Sequence, residues 1–391
     1  MASESRRAPR KDFLAFGAPL IEQPEIDEVV STMRSGWLGT GPKVAAFEKQ
    51  FAAYQGVAEA AALNSCTAAL HLSLLAAGIG PGDEVITTPM TFCATINTIL
   101  HAGGTPVLAD VDPRTQNLDA DAVAAAVTKK TKAILPVHFA GRACDMDRLM
   151  ATAEENDLQV IEDCAHAIET TYKGRKAGTI GDFGCFSFYA TKNVATGEGG
   201  MAIAKDAEKL ARLRVLGLHG MSRDAWKRFG SSGYKHYQVV EYGFKYNMMD
   251  LQAAIGKHQL ARVDQNWKKR EALWRLYDKH LQGSGLGLPA APEADTKHAY
   301  HLYTVLVDSN AVGIGRDDLL DRMAKANIGV GVHYQSVPEH PVYQERLGWN
   351  PTTWPEAHRI GQHTMSLPLS PKMTEDDVLD VIAAIDGLVR R

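Results

Sequence analysis

Lys192 lies within Phe186-Ser-Phe-Tyr-Ala-Thr-Lys192-Asn-Val-Ala-Thr-Gly-Glu-Gly-Gly200. The apolar, aromatic run from Gly184 to Tyr189 predicts a buried strand, followed by a loop with one lysine and then a glycine-rich turn. An amine just past a buried strand, with small flexible residues behind it, can form a Schiff base with a carbonyl compound. A single loop lysine is more often a solvated surface residue, so the reading depends on its companions.

Four companions stand out, each after a predicted strand. Asn64-Ser65-Cys66-Thr67 opens a helix. Small hydroxyl residues there leave free backbone N–H groups at the positive dipole end, suited to a phosphate, although a plain N-cap needs only one hydroxyl. Asp163, in Ile161-Glu-Asp-Cys-Ala-His166, ends another strand and would be costly to bury without a cation. The protonated ring nitrogen of pyridoxal phosphate is such a cation, and an aspartate partner keeps the ring an electron sink. His166 could meet the cofactor ring or its phenolic oxygen. Phe92 could stack on an aromatic cofactor, though a single aromatic is more often core. The cluster Gly78-Ile-Gly80-Pro-Gly82 precedes a strand instead of following one, so it reads as a turn and not a dinucleotide loop.

These residues need a scaffold that gathers strand ends. Strands at 60–63, 84–88, 106–111, 133–137 and 159–162 alternate with helices at 67–77, 92–101, 119–127 and 146–156. This pattern predicts βαβ units, a largely parallel sheet, and a ligand crevice beyond its carboxyl ends. Further strands are expected at 184–188 and 201–204, and one long amphipathic helix from Leu251 to His280. The Gly- and Pro-rich stretch 282–292 marks a boundary. The resulting division is a mobile tail (1–15), a large domain (16–281) and a smaller α+β domain (282–391), with strands at 300–307 and 329–333 and helices at 316–326 and 375–389.

The 391 residues suffice for two domains. A net charge of −4 gives no electrostatic reason to expect nucleic acid. Five cysteines without CxxC spacing fit a reducing cytoplasm and argue against disulfides and zinc. No apolar run is long enough to span a bilayer.

In its most specific stretches the chain resembles the DegT/DnrJ/EryC1/StrS family of sugar aminotransferases. Those stretches are Ser35-Gly-Trp37-Leu-Gly-Thr40-Gly-Pro42, Gly82-Asp-Glu-Val85, Glu162-Asp163-Cys-Ala-His166, Phe186-Ser187-Phe and Gly197-Glu-Gly-Gly200. Matching residues run from Phe16-Gly-Ala-Pro to Ser366-Leu-Pro-Leu. The resemblance implies an α/β, fold-type-I pyridoxal 5′-phosphate enzyme. Lys192 would hold the cofactor and move the proton, and Asp163 would pair with the ring nitrogen. Phe92 and His166 would contact the ring, while Cys66, Thr67 and Ser187 would bind the phosphate. Asn247 would reach the phosphate from a neighbouring subunit, making a homodimer part of the site. Trp37, Thr40, His219, Lys245, His333 and Tyr334 become candidates for the substrate pocket.

Within the family, Leu218-His219-Gly220…Asp224-Ala-Trp226, Gly243-Phe-Lys245-Tyr-Asn247 and Gly331-Val-His333-Tyr334 are most similar to members that form UDP-4-amino-4-deoxy-L-arabinose. Glutamate would be the donor, 2-oxoglutarate its product and lipid A modification the setting. Phe92 stands where those members have tryptophan, and Tyr334-Gln335 where they have Phe-Arg. Another keto sugar or a cyclitol therefore stays open as acceptor, as does a non-catalytic regulator on the same fold. Dehydratases of the family carry histidine at the lysine position, so Lys192 argues for amino transfer.

Overall fold

The computed structural model describes residue 7, residues 9–222 and residues 237–389. Helices α1 (Gln23–Ser35) and α2 (Pro42–Gln55) come first. Then follow β1 (Ala61–Leu63), α3 (Cys66–Ala76), β2 (Glu84–Thr87), α4 (Cys93–His101), β3 (Thr105–Leu108) and α5 (Ala120–Ala126). Next are β4 (Thr131–Leu135), α6 (Met146–Glu155) and β5 (Gln159–Asp163). A short ribbon of β6 (Thr171–Tyr172) and β7 (Arg175–Lys176) leads to β8 (Phe183–Ser187), β9 (Gly200–Ala204) and α7 (Ala207–Leu216).

The main sheet has the order β1-β9-β8-β5-β4-β2-β3. Strands β8, β5, β4, β2 and β3 run parallel, and β9 lies antiparallel between β8 and β1. Val85, Ile86, Ile134, Leu135, Val160 and Ile161 are all fully buried, because helices cover both faces. One face packs on Leu70, Leu72 and Leu74 of α3 and Leu210 and Leu213 of α7. The other packs on Val123 of α5 and Met146 and Leu149 of α6.

The second part comprises α8 (Asp250–Ala261), α9 (Val263–Leu281), β10 (Thr296–Lys297), β11 (Tyr303–Leu306), α10 (Ser309–Val312), α11 (Arg316–Lys325), α12 (Pro341–Leu347), α13 (Pro355–His363), β12 (Thr364–Leu367) and α14 (Glu375–Leu388). Strands β11 and β12 pair antiparallel. Among the described residues, no helix is long and apolar enough to cross a membrane.

Three expectations need correction. The helix foreseen from Leu251 to His280 is two, broken at Arg262 (φ −113°, ψ 16°). Its halves serve different cores: Leu260 and Val263 pack with α2, whereas Leu273, Trp274, Tyr277 and Leu281 join the small-domain core. The apolar packing therefore passes from one cluster to the other inside α9. The strand foreseen at 329–333 is reduced to single bridges, Ile328 with Leu14 and Gly331 with Ser366. Finally, residues 1–6 and 8 of the expected tail lie outside the described residues, but the chain is anchored well before residue 16. Arg7 pairs with Asp376 and Asp380, and Arg10 with Asp377 and Asp380, all on α14. Leu14 buries its side chain in the small-domain core.

Candidate active site

Strand β8 ends at Ser187, and the lysine loop folds straight back onto it. Phe188 N–H donates to Gly199 C=O at 2.9 Å, Thr196 N–H to Phe188 C=O at 2.8 Å, and Lys192 N–H to Tyr189 C=O at 2.9 Å. Phe186 and Phe188 pack beneath the loop on Phe51 and Phe47, with ring centroids 4.9 and 5.2 Å apart. The residue after the lysine is the anchor. Asn193 Nδ2 donates to Glu169 Oε2 at 2.8 Å and to Ala299 C=O at 3.2 Å, while its Oδ1 meets His301 Nδ1 at 2.9 Å. Glu169 is in turn paired with the buried Arg270. Lys192 itself remains partly exposed. Burial of its amine lowers the pKa to about 8, against the opposing pull of Cys66 and Asp163.

Strand alternation sends Glu162 and Asp163 to opposite faces. Glu162 is fully buried and saturated: it accepts from Gly178 N–H (2.8 Å), Ile180 N–H (2.8 Å) and Gly181 N–H (2.6 Å), and faces His138 Nε2 at 2.9 Å. It clamps the carboxyl end of β5. Glu162→Gln would turn an amide NH2 toward Gly178 N–H and His138, so stability should fall by roughly 2–4 kcal/mol. The urea midpoint reads this loss, and an unmoved midpoint would contradict the clamp.

Asp163 is 4% exposed. Its Oδ1 accepts from Ala165 N–H at 3.1 Å and its Oδ2 from Thr95 Oγ1 at 3.0 Å. Burial raises its pKa, opposed by those two donors and by the charge of Lys192. A buried carboxylate in this state favours a cation beside it.

A cup forms where three chain segments meet. In register, Leu63 of β1 and Ser187 of β8 both flank Gly200 of β9. Helix α3 starts there, with Ser65 Oγ accepting from Ala68 N–H at 3.1 Å. That bond and Ser65 C=O occupy the Ala68 and Ala69 N–H groups, and those of Cys66 and Thr67 have no partner among the described residues. A side chain at Gly200 would lie 2.3 Å from the Ser65 carbonyl carbon and 2.6 Å from Cys66 N, so only glycine permits this close approach.

Small-domain residues close the crevice. His333 stacks on Phe16 at 5.3 Å, and its Nδ1 meets Ser366 Oγ at 2.8 Å. Burial, with the nearby Lys192 charge, holds His333 down to about 3, so it is neutral. Tyr334 inserts among Phe92 (6.2 Å), Phe139 (6.1 Å) and His166 (6.1 Å, near-parallel). Its hydroxyl is 3.0 Å from His166 Nε2. Ala140 N–H donates to His166 Nδ1 at 3.2 Å. Burial and the Lys192 charge keep His166 neutral, so its proton sits on Nε2 and goes to Tyr334 Oη. The Tyr334 proton is then free to point into the crevice. Phe92, at the start of α4, is 58% exposed and offers a ring face there.

Lys192, Asp163, Cys66, Thr67, Ser187, His166, Phe92, His333 and Tyr334 thus converge on one crevice. The other candidates do not. Trp37, Thr40 and Asn247 line a separate cavity of about 780 Å³ with Leu63, Leu218 and Met221. Asn247 Nδ2 donates to Thr40 Oγ1 at 2.6 Å, and Trp37 Nε1 to Thr40 C=O at 3.0 Å. Asn247 Oδ1 is buried with no hydrogen-bond partner among the described residues. His219 and Lys245 are exposed beside each other, joined through the Leu218–Lys245 bridge. The motif running to Asp224 and Trp226 lies outside the described residues.

Thr95, Asn193 and His301 escaped the sequence reading. Their partners lie 68, 24 and 108 residues away, a separation that leaves no local spacing to detect.

A lysine, an aspartate, a helix-start cup and an exposed ring gathered at the carboxyl ends of a parallel sheet define an enzyme site for a phosphorylated aromatic cofactor. Residues 19–386 match the model of the DegT/DnrJ/EryC1/StrS aminotransferase family. The chain is 50% identical over 383 residues to the spore coat polysaccharide biosynthesis protein SpsC of Bacillus subtilis, covering 97% of this chain and 98% of SpsC. The putative sugar aminotransferase Spr1654 of Streptococcus pneumoniae, solved in pyridoxal-phosphate (PLP) and PMP forms, superposes with a TM-score of 0.89 at 34% identity. That match covers 96% of this chain and 98% of the PLP-form chain. An aminotransferase from Psychrobacter cryohalolentis gives 0.86 at 34% identity, covering 96% and 98% of the two chains. The chain belongs to the DegT/DnrJ/EryC1/StrS aminotransferase family, and its class is that of pyridoxal-phosphate-dependent sugar aminotransferases.

Proposed function

We propose that the chain moves the amino group of glutamate to a nucleotide-linked 4-keto sugar, with UDP-4-keto-pentose as acceptor and UDP-4-amino-4-deoxy-L-arabinose as product. The carrying observation is the Lys192 amine, lowered to about 8 where it lies beside Asp163 and the start of α3. The crevice fits the cofactor. Free N–H groups of Cys66 and Thr67 with the Ser187 hydroxyl match the phosphate, and the buried carboxylate of Asp163 suits a protonated ring nitrogen.

When bound, pyridoxal phosphate supplies an electron sink for the charge left when a C–H bond is broken. Lys192 would tether the cofactor and would supply the base that moves the proton at the reacting carbon. Burial suits it to that task, because a base works best with a pKa near the working pH. Asp163 holds a proton on the ring nitrogen. The α3 start and Ser187 bind the phosphate, and Phe92 covers a ring face. His166 and Tyr334 offer a neutral donor pair and exclude water from that side.

Capture of the cofactor needs the free amine, so its rate should rise about tenfold per pH unit below 8 and level off above it. Stopped-flow absorbance on the cofactor-free protein reads this. A rate still climbing past pH 10 would mean an ordinary, solvated lysine.

We further propose that a second copy covers the face carrying Asn247 and brings that amide, with His219 and Lys245, to the partner's cup. Support comes from the unsatisfied Asn247 Oδ1, from the exposed side chain of Trp37 (48%) lining the same cavity, and from those of Val239 (62%), Val240 (61%) and Tyr242 (98%) just before Asn247 in sequence. Light scattering should give twice the 42.5 kDa chain mass, and a monomer would remove this part. The acceptor is tested by incubating the pyridoxamine form with UDP-, GDP- and dTDP-linked keto sugars. Return of the aldehyde form with UDP-4-keto-pentose supports the reading, whereas preference for another keto sugar overturns the substrate and leaves the chemistry.

A further inference from the structure

Asp163 is held by more than its own strand. Thr95, in the first turn of α4, is 1% exposed and donates to Asp163 Oδ2 at 3.0 Å. Thr91, 3% exposed, lies 2.8 Å from Thr95 Oγ1. A hydroxyl has one proton, and that of Thr95 is committed to the carboxylate, so Thr91 must be the donor in this pair. The result is a directed chain, Thr91 to Thr95 to Asp163, in a dry environment where successive hydrogen bonds polarise one another. Ala165 N–H secures the other oxygen at 3.1 Å. A carboxyl group otherwise turns broadly about its last bond, and one donor on each oxygen stops that rotation.

We infer that Thr95, backed by Thr91, is a positioning residue for this enzyme: it fixes the plane of the Asp163 carboxylate toward the crevice and sets how tightly that group holds a proton. The inference rests on the proposed pairing of Asp163 with the cofactor's ring nitrogen. Position adds weight, because Phe92, the proposed ring-stacking residue, lies three residues before Thr95 at the start of the same helix. One helix end then sets both the height of the ring and the direction of its nitrogen partner. Other groups acting on Asp163 are Lys192 from the loop after β8, His138 after β4, Cys66 at the start of α3, and Tyr334 from the small domain. Cys164 follows on the same chain, and Cys185 lies on β8. Among the side chains described, Thr95 is the hydroxyl that touches the carboxylate.

The test uses the full, cofactor-free chain labelled with carboxyl-13C aspartate, the Asp163 signal being the one missing from Asp163→Asn. A donor stabilises the charged form, so removing it must raise the titration midpoint. Thr95→Val, which keeps the shape, should weaken the Asp163 acid about tenfold. Thr95→Ser should restore it, and Thr91→Val should weaken it by roughly two- to threefold through the shorter reach of the chain. Affinity for added pyridoxal phosphate, read by fluorescence quenching, should fall in Thr95→Val and recover in Thr95→Ser. An unmoved midpoint in Thr95→Val, or a serine variant that behaves like valine, overturns the inference. If Thr95→Val does not fold, Thr91→Val decides, and no rise there overturns it. Full activity in Asp163→Ala would instead remove the ring-nitrogen role, while leaving the response of Asp163 to Thr95 intact.

Discussion

Lys192→Ala should stop both halves of the reaction. Two functions disappear together: the amine that tethers the cofactor and the base that carries the proton. Loss of a positioned base alone costs up to about 10⁴-fold, or about 5 kcal/mol of barrier, and loss of the tether adds to it. The side chain is not a structural support, since the loop is held by Asn193 and by backbone bonds on either side. The variant should therefore fold, bind pyridoxal phosphate through the α3 cup and Ser187, and lack the absorbance of the lysine-linked form. Single-turnover spectra with glutamate, and separately with the keto sugar, read each half. Turnover near the wild-type rate in either would remove Lys192 from the mechanism.

Asp163→Ala should be the second most damaging change, and of a different kind. The cup and Lys192 are intact, so cofactor still binds and still attaches. What is lost is the charge that keeps a proton on the ring nitrogen while negative charge develops on the ring. Losing one such preorganised electrostatic partner costs about 10²–10³-fold in kcat. The rate of proton removal from Cα-deuterated and ordinary glutamate measures the effect directly. An unchanged rate with a normal spectrum would mean that Asp163 only caps the chain after β5.

The legible part of this protein is the part with strong periodicity. Val85-Ile86, Ile134-Leu135 and Val160-Ile161 announce strands because each is covered on both faces, and helices α3, α5 and α6 have polar starts at Ser65, Asp119 and Asp145. The crevice was legible for the same reason, since strand ends in a parallel sheet must point to one side. Less visible were features made by distant partners. Helices α12 and α13 begin at Pro341 and Pro355 in a stretch whose apolar side chains serve small contacts, such as Tyr343 with Ile96 and Ile360 with Met90. In the 329–333 segment Gly329 is pressed against Leu14 and Phe16, so its pairing is split between Leu14 of the N-terminal segment and Ser366 of β12 and does not run on as a strand. At the site, Asp163 was legible and the hydroxyl that aims it was not. His166 was expected at the cofactor and is found also committed to Tyr334, a partner 168 residues away.

The central claim is a covalent attachment at one amine. Loading the protein with pyridoxal phosphate, reducing it with borohydride and mapping the digest by mass spectrometry tests it directly. A single stable adduct on Lys192, absent from Lys192→Ala, is the predicted result. An adduct on any other lysine, or none, contradicts the account.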